Sequence, residues 1–153
     1  SHMKFIAPAV ALLALAFAPA ARTQQACGPD RISAESRADT IFVRHEDAGR
    51  NCCTLLTLAI RTSDFTVDFV EGDAGEPCRC QCCFDLRYEA HGFGAGRYVI
   101  RVWGAEGAIL YGQTEVDVIG SGSLPALGSS DRGDCRNLAI WPATWGVVRA
   151  LYR

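Results

Sequence analysis

Lysine is nearly missing from this sequence: Lys4 is the only one, and every other basic residue is an arginine. The arginines are scattered, the formal net charge is −2, and no basic patch forms. That excludes a nucleic-acid or anionic-lipid binder. Also missing is an apolar run long enough to cross a bilayer, since residues 5–17 fall short of the about 20 a spanning helix needs. No nucleophile elbow marks a serine or cysteine hydrolase. No Asp-x-Asp-x-Asp-Gly loop marks a calcium site, and no Cys-x-x-Cys opens a helix as in redox enzymes. Internal repeats and a convincing helix are missing too.

What is present begins with an address. Ser1 and His2 read as a cloning remnant, which leaves Met3 as the start. Lys4 supplies a positive n-region, residues 5–17 an apolar h-region, and Ala18-Pro19-Ala20 the small-x-small cleavage pattern. Residues 3–20 are therefore expected to be a signal peptide, cut near Ala20 or Ala21. A lipid on Cys27 is the disfavoured alternative, because Gln24 stands where an aliphatic residue is wanted. The remaining chain, about 130 residues, makes one domain with a real core. Its reading is a polar lead-in over 21–38, a β domain over 39–119, and a Gly/Ser linker with a C-terminal extension over 120–153, tied by Cys135.

Alternation of period two carries the fold class. Ile41, Phe42 and Val43 open a strand that the polar run 45–51 is expected to end. Leu56, Leu58 and Ile60 share one face, and so do Phe65, Val67 and Phe69 after a turn at 61–64. Phe84, Leu86 and Tyr88 alternate most cleanly, and the glycine-rich turn 91–96 leads into the strand of Tyr98 and Val102. A last strand spans about 109–118, with Val116 and Val118 inward. Short strands with turns between them favour an all-β sandwich. Residues 138–153, with Trp141 and Trp145, read either as a strand then a helix or as an apolar tail.

All eight cysteines, Cys27, Cys52, Cys53, Cys78, Cys80, Cys82, Cys83 and Cys135, follow the cleavage point. An even number in an exported chain argues for four disulfides. Eight cysteines allow about 105 pairing schemes, and forbidding bonds between the two adjacent pairs leaves roughly 78. The sequence does not choose among them. The alternative is a thiolate metal site: in an extended segment Cys78, Cys80 and Cys82 point one way. With Cys52 or Cys53 they would suit Zn²⁺ or Cu(I), Cys83 completing the set on which the metal reading draws. One-residue spacing is poor for wrapping an ion, so disulfides lead.

The other candidates are weaker. His45 and His91 read as surface residues, since neither lies beside a marked nucleophile. Asp68, Glu71, Asp73 and Glu76 surround a glycine-rich loop and read as a solvated acidic face. Arg132-Gly133-Asp134 is the integrin-recognition tripeptide, too short to carry weight by itself.

The stretch 93–102, Phe-Gly-Ala-Gly-Arg-Tyr-Val-Ile-Arg-Val, resembles the turn and strand of fibronectin type III and other immunoglobulin-like modules. The resemblance implies that Tyr98 is a corner residue whose hydroxyl bonds upstream backbone. More broadly, about 60 residues resemble a group of uncharacterised bacterial secreted cysteine-rich proteins. The likeness lies in Asn51-Cys52-Cys53, the run from Cys78 to Cys83, and Phe84-Asp85-Leu86. It implies an immunoglobulin-like β-sandwich with disulfides and implies no chemistry. The expectation is an exported non-enzymatic structural or binding module without cofactor, recognising a protein or glycan. A periplasmic thiolate metal-binder is the alternative and a secreted enzyme the weaker one.

Overall fold

The computed structural model describes residues 27–104 and 107–140, the last four by backbone alone. The cloning remnant at 1–2, the signal segment at 3–20 and the tail from Trp141 onward lie outside the described residues.

The described chain is all β: β1 (Arg31–Arg37), β2 (Thr40–Asn51), β3 (Leu56–Ser63), β4 (Thr66–Asp73), β5 (Cys80–His91), β6 (Gly94–Gly104), β7 (Ile109–Ser121), β8 (Ala126–Asp131) and β9 (Arg136–Ile140). They form two packed sheets. One runs β1-β2-β5-β8, with β9 pairing β5 further along, and the other runs β3-β4-β6-β7. Every pairing is antiparallel except β4 with β6. Parallel neighbours need a crossover, and β5 provides it by running back through the opposite sheet. Immunoglobulin sheets are antiparallel throughout, so this pair distinguishes the topology.

The core follows the period-two pattern. Ile41 and Val43 of β2, Val67 and Phe69 of β4, Phe84, Leu86 and Tyr88 of β5, and Ile100 and Val102 of β6 are all buried between the sheets. The rings of Phe69 and Tyr88 stack with centroids 5.8 Å apart. Tyr98 closes the lower end. Its hydroxyl donates to the Gly94 carbonyl at 3.1 Å, and the rings of Phe65 and Phe93 meet it edge-on.

Four boundaries differ from the sequence reading. The lead-in at 21–38 contains β1, whose inward Ile32 and Ala34 make too weak an alternation to notice. The supposed linker after residue 119 contains the end of β7, then β8 and β9. Ser129 and Ser130 pair with Glu89 and Tyr88, and the Ser129 hydroxyl donates to Glu89 at 3.1 Å. Backbone bonding to β5 holds this edge, so it needs little apolar side-chain surface. Finally, the polar run 45–51 does not end β2. The turn expected at 61–64 sits instead at Asp64 and Phe65, because β3 runs on to Ser63, which pairs with Thr66, so Phe65 is an exposed turn residue and not an inward strand one.

The β2 continuation depends on a bulge. His45 pairs with Leu86 but Ala48 pairs with Phe84, so β2 carries one extra residue between them. Asp47 takes a positive φ of 60° there, and its carboxylate accepts from Arg31 at 2.9 Å and Arg136 at 3.1 Å. An extra residue reverses which side chains face inward. His45 points inward before the bulge, and Ala48 and Arg50 point inward after it. Phe69→Ala, which empties the centre of the core, is expected to cost about 3–5 kcal/mol in urea unfolding of the oxidised protein.

Candidate functional site

All eight cysteines are joined in pairs. Cys27 bonds Cys83, Cys52 bonds Cys80, Cys53 bonds Cys78, and Cys82 bonds Cys135. Their Cα separations are 5.4, 5.6, 5.8 and 5.3 Å, within the usual range for a bridge. The adjacent Cys52 and Cys53 both reach into the later run. Cys82 lies on the inward side of β5 and Cys83 on the outward side, so these neighbours diverge to different partners. No thiolate remains free, and the six sulfurs of the metal reading are all consumed. Four disulfides form and persist outside the reducing cytosol.

Asn51 organises this end. Its side-chain oxygen accepts from the backbone N–H groups of Cys53 and Cys78, each at 3.0 Å. Its amide donates to the Cys80 carbonyl at 3.1 Å and to the Cys78 carbonyl. One side chain thus satisfies backbone groups on both segments that the Cys52 and Cys53 bridges join.

Beneath the bridges lies a buried ionic cluster that the sequence reading missed. The sequence reading places His45 and Glu71 at the surface, but His45 is 0% exposed and Glu71 2%. His45 Nδ1 lies 2.7 Å from Glu71 Oε1, and Nε2 lies 2.8 Å from Asp30 Oδ1. Carboxylates accept only, so the ring donates from both nitrogens and is an imidazolium. Glu71 also accepts from the Tyr88 hydroxyl and the Arg50 guanidinium. Arg50 lies over the Tyr111 ring, 4.5 Å from its centroid, and Tyr111 also meets the His45 ring at 5.1 Å. Two cations face two carboxylates, and no buried side-chain nitrogen or oxygen among the described residues lacks a partner.

The protonation states follow from these contacts. Burial pulls the His45 pKa down, but hydrogen bonding and charge from Glu71, then Asp30, outweigh it and hold the value above that of an ordinary histidine. Burial pushes Glu71 up, yet His45, Arg50 and Tyr88 keep it below the usual carboxylate range. Burial and then Glu71 push the Tyr88 phenol up. An imidazolium with both N–H groups engaged has no lone pair to take a proton, and the neighbouring hydroxyl of Tyr88 is already committed. The cluster is built to hold two sheets together; general-base chemistry needs a free ring nitrogen.

The remaining candidates do not converge. Asp68 faces outward and accepts from Arg101 at 2.6 and 2.8 Å and from the Trp103 indole at 2.9 Å. Asp73 binds the Thr54 hydroxyl and the backbone of Leu55 and Gly75 at 2.8–3.0 Å, and Glu76 is exposed. These acids form no cation site. His91 is exposed at the far end of β5. In the Arg-Gly-Asp tripeptide, Arg132 lies over the Phe84 ring at 4.8 Å and donates to the Thr54 carbonyl, so it is not presented to a partner.

Fold and site together define a disulfide-cross-linked β-sandwich with an ion-bridged core. No protein-family model matches the chain, and no curated protein or solved structure is significantly similar to it.

The cluster sets a pH dependence. His45 contributes stability fully below the ordinary histidine pKa, and the contribution is lost as pH rises through the raised folded value. Glu71 contributes above the ordinary glutamate pKa, and its share is lost as pH falls through its depressed value. The His45 share of stability is therefore expected to begin falling as pH rises past the ordinary histidine value and to be gone above the raised folded one, with both His45 ring N–H protons visible by NMR below that folded value. A neutral tautomer there would refute the arrangement. Glu71→Gln leaves two cations facing a neutral amide and is expected to cost about 3–5 kcal/mol in denaturant unfolding.

Proposed function

We propose that this chain is an exported, non-enzymatic structural or binding module of a bacterial envelope or extracellular space. Its two-sheet sandwich and Tyr98 corner resemble those of immunoglobulin-like domains, apart from the parallel β4–β6 pair, and it recognises a protein or a glycan. The observation that carries the reading is the closure of its reactive groups. Every cysteine is cross-linked, and the buried histidine is locked between two carboxylates. That chemistry suits durability outside the cell better than turnover. Each bridge adds about 2–4 kcal/mol by restricting the unfolded chain, against a usual domain stability of about 5–15 kcal/mol.

Recognition in this reading uses the outward face of the second sheet. A polar row, Arg61, Asp68, Arg101 and Gln113, crosses its four strands at paired positions. Trp103 lies one register step above, held by Asp68. Planar hydrogen-bonding groups beside an indole suit either a peptide or a sugar ring.

Two measurements test the proposal. Expressed with its N-terminal segment in a bacterial host, the protein is expected outside the cytoplasm and cut near Ala20 or Ala21. Retention of the uncut chain inside the cell would sink the export reading. Intact mass after alkylation under denaturing conditions is expected to show no label before reduction and full labelling of the cysteines after it. Folded protein carrying free thiols with bound zinc or copper would favour the metal-binding alternative instead.

A further inference from the structure

The sandwich has one closed side and one open side. On the closed side the edge strands β1 and β7 are in contact. The Ser36 hydroxyl donates to the Asp117 carbonyl. Gly112 and Gly120 allow the approach, since a Cβ on Gly120 would come within 2.3 Å of the Asp39 backbone and one on Gly112 within 2.8 Å of Ile32. On the open side the edges are β3 and β8. There Leu56, Leu58 and Ile60 of β3 point inward yet are only half-buried.

The two open edges are not alike. β8 is short, its pairing with β5 slips between Glu89 and Ala90, and Gly133 with φ of 59° breaks the line to β9. Such irregularity protects an edge from pairing. β3 has none of these devices. Its register with β4 is unbroken from Leu56 to Ser63, and it contains no proline and a single charge, Arg61. The Ala74 N–H bonds the Leu55 carbonyl, and antiparallel bonding alternates along a strand. The backbone groups of Thr57, Ala59 and Arg61 therefore face β4, and those of Leu56, Leu58, Ile60 and Thr62 face outward. Among the described residues β8 lies nearby, but no strand hydrogen-bonds to these groups.

We propose that β3 pairs antiparallel with β3 of a second copy of this chain, about a two-fold axis at Ala59, and so joins the two second sheets into one. The sequence is self-complementary in this register. Leu58 lies opposite Ile60 and Leu56 opposite Thr62 in reciprocal hydrogen-bonded pairs, which places Leu58 and Ile60 of both copies in one apolar strip covering the open side. On the outward face Arg61 lies opposite Thr57 of the second copy, so no like charges meet. Only Ala59 faces its own counterpart, where the backbones are closest.

The test uses Ala59, whose side chain is exposed in the single chain. Sedimentation velocity over a range of concentrations is expected to show the oxidised protein as a dimer. Ala59→Lys and Ala59→Glu, each with unchanged circular dichroism and thiol content, are expected to weaken the dimer roughly tenfold or more through like-charge contact. Mixing the two variants is expected to restore a dimer, because lysine then faces glutamate. A monomeric wild type at every concentration overturns the proposal. So does a lysine variant that stays dimeric, which would put the contact elsewhere. Failure of the mixture to reassociate would overturn the Ala59-centred register.

Discussion

The carboxylate of Glu71 is the point on which this sandwich turns. It sits on β4 in one sheet and binds His45 and Arg50 on β2 and Tyr88 on β5 in the other. Buried charge is costly unless it is paired and hydrogen-bonded, so the two sheets can meet here in only one register. A slip of one residue on β2 would bring a different side chain opposite the carboxylate and strand it. The extra residue between His45 and Ala48 is part of the same device. It turns both His45 and Arg50 inward, although five positions apart they would lie on opposite faces of a regular strand.

The disulfides serve the same end of the molecule. Cys27, bonded to Cys83, anchors the segment carrying Asp30 three residues later, and Cys52, bonded to Cys80, follows Arg50 by two. The covalent bonds thus hold the chain segments that supply the second carboxylate and the second cation. At the opposite end, where Tyr98 packs against Phe65 and Phe93, ordinary apolar contact suffices. The division is physical. A cluster of charges tolerates little movement before a hydrogen bond is lost and the desolvation cost returns, whereas aromatic packing is more forgiving.

The cluster was partly legible. Ile41 and Val43 share a strand face with His45, and Val67 and Phe69 share one with Glu71, so carrying the alternation past the apolar residues places both polar side chains in the core. It was missed because a polar run beside Asp47, and an acidic residue before a glycine, resemble the ends of strands. Asp30 and Arg50 gave no such signal. Asp30 reaches His45 only after the chain has crossed the sheet, and Arg50 faces inward only because of the bulge. The edge strands were hidden for a different reason. β8 is built of Ala, Leu, Gly, Ser and Asp, a linker's composition, and its order comes from backbone bonds to β5.

By itself the sequence determined that this is an all-β chain, where most of its core lies, and that its cysteines are suited to disulfides. Those properties are local, because side-chain alternation and composition act over a few residues. Only the tertiary structure decided which sulfurs meet, that β4 runs parallel to β6, and that a histidine and a glutamate form the ion pair between the sheets. These depend on the distance and direction between segments far apart in the chain. Such quantities exist only once both sheets are assembled around their shared core.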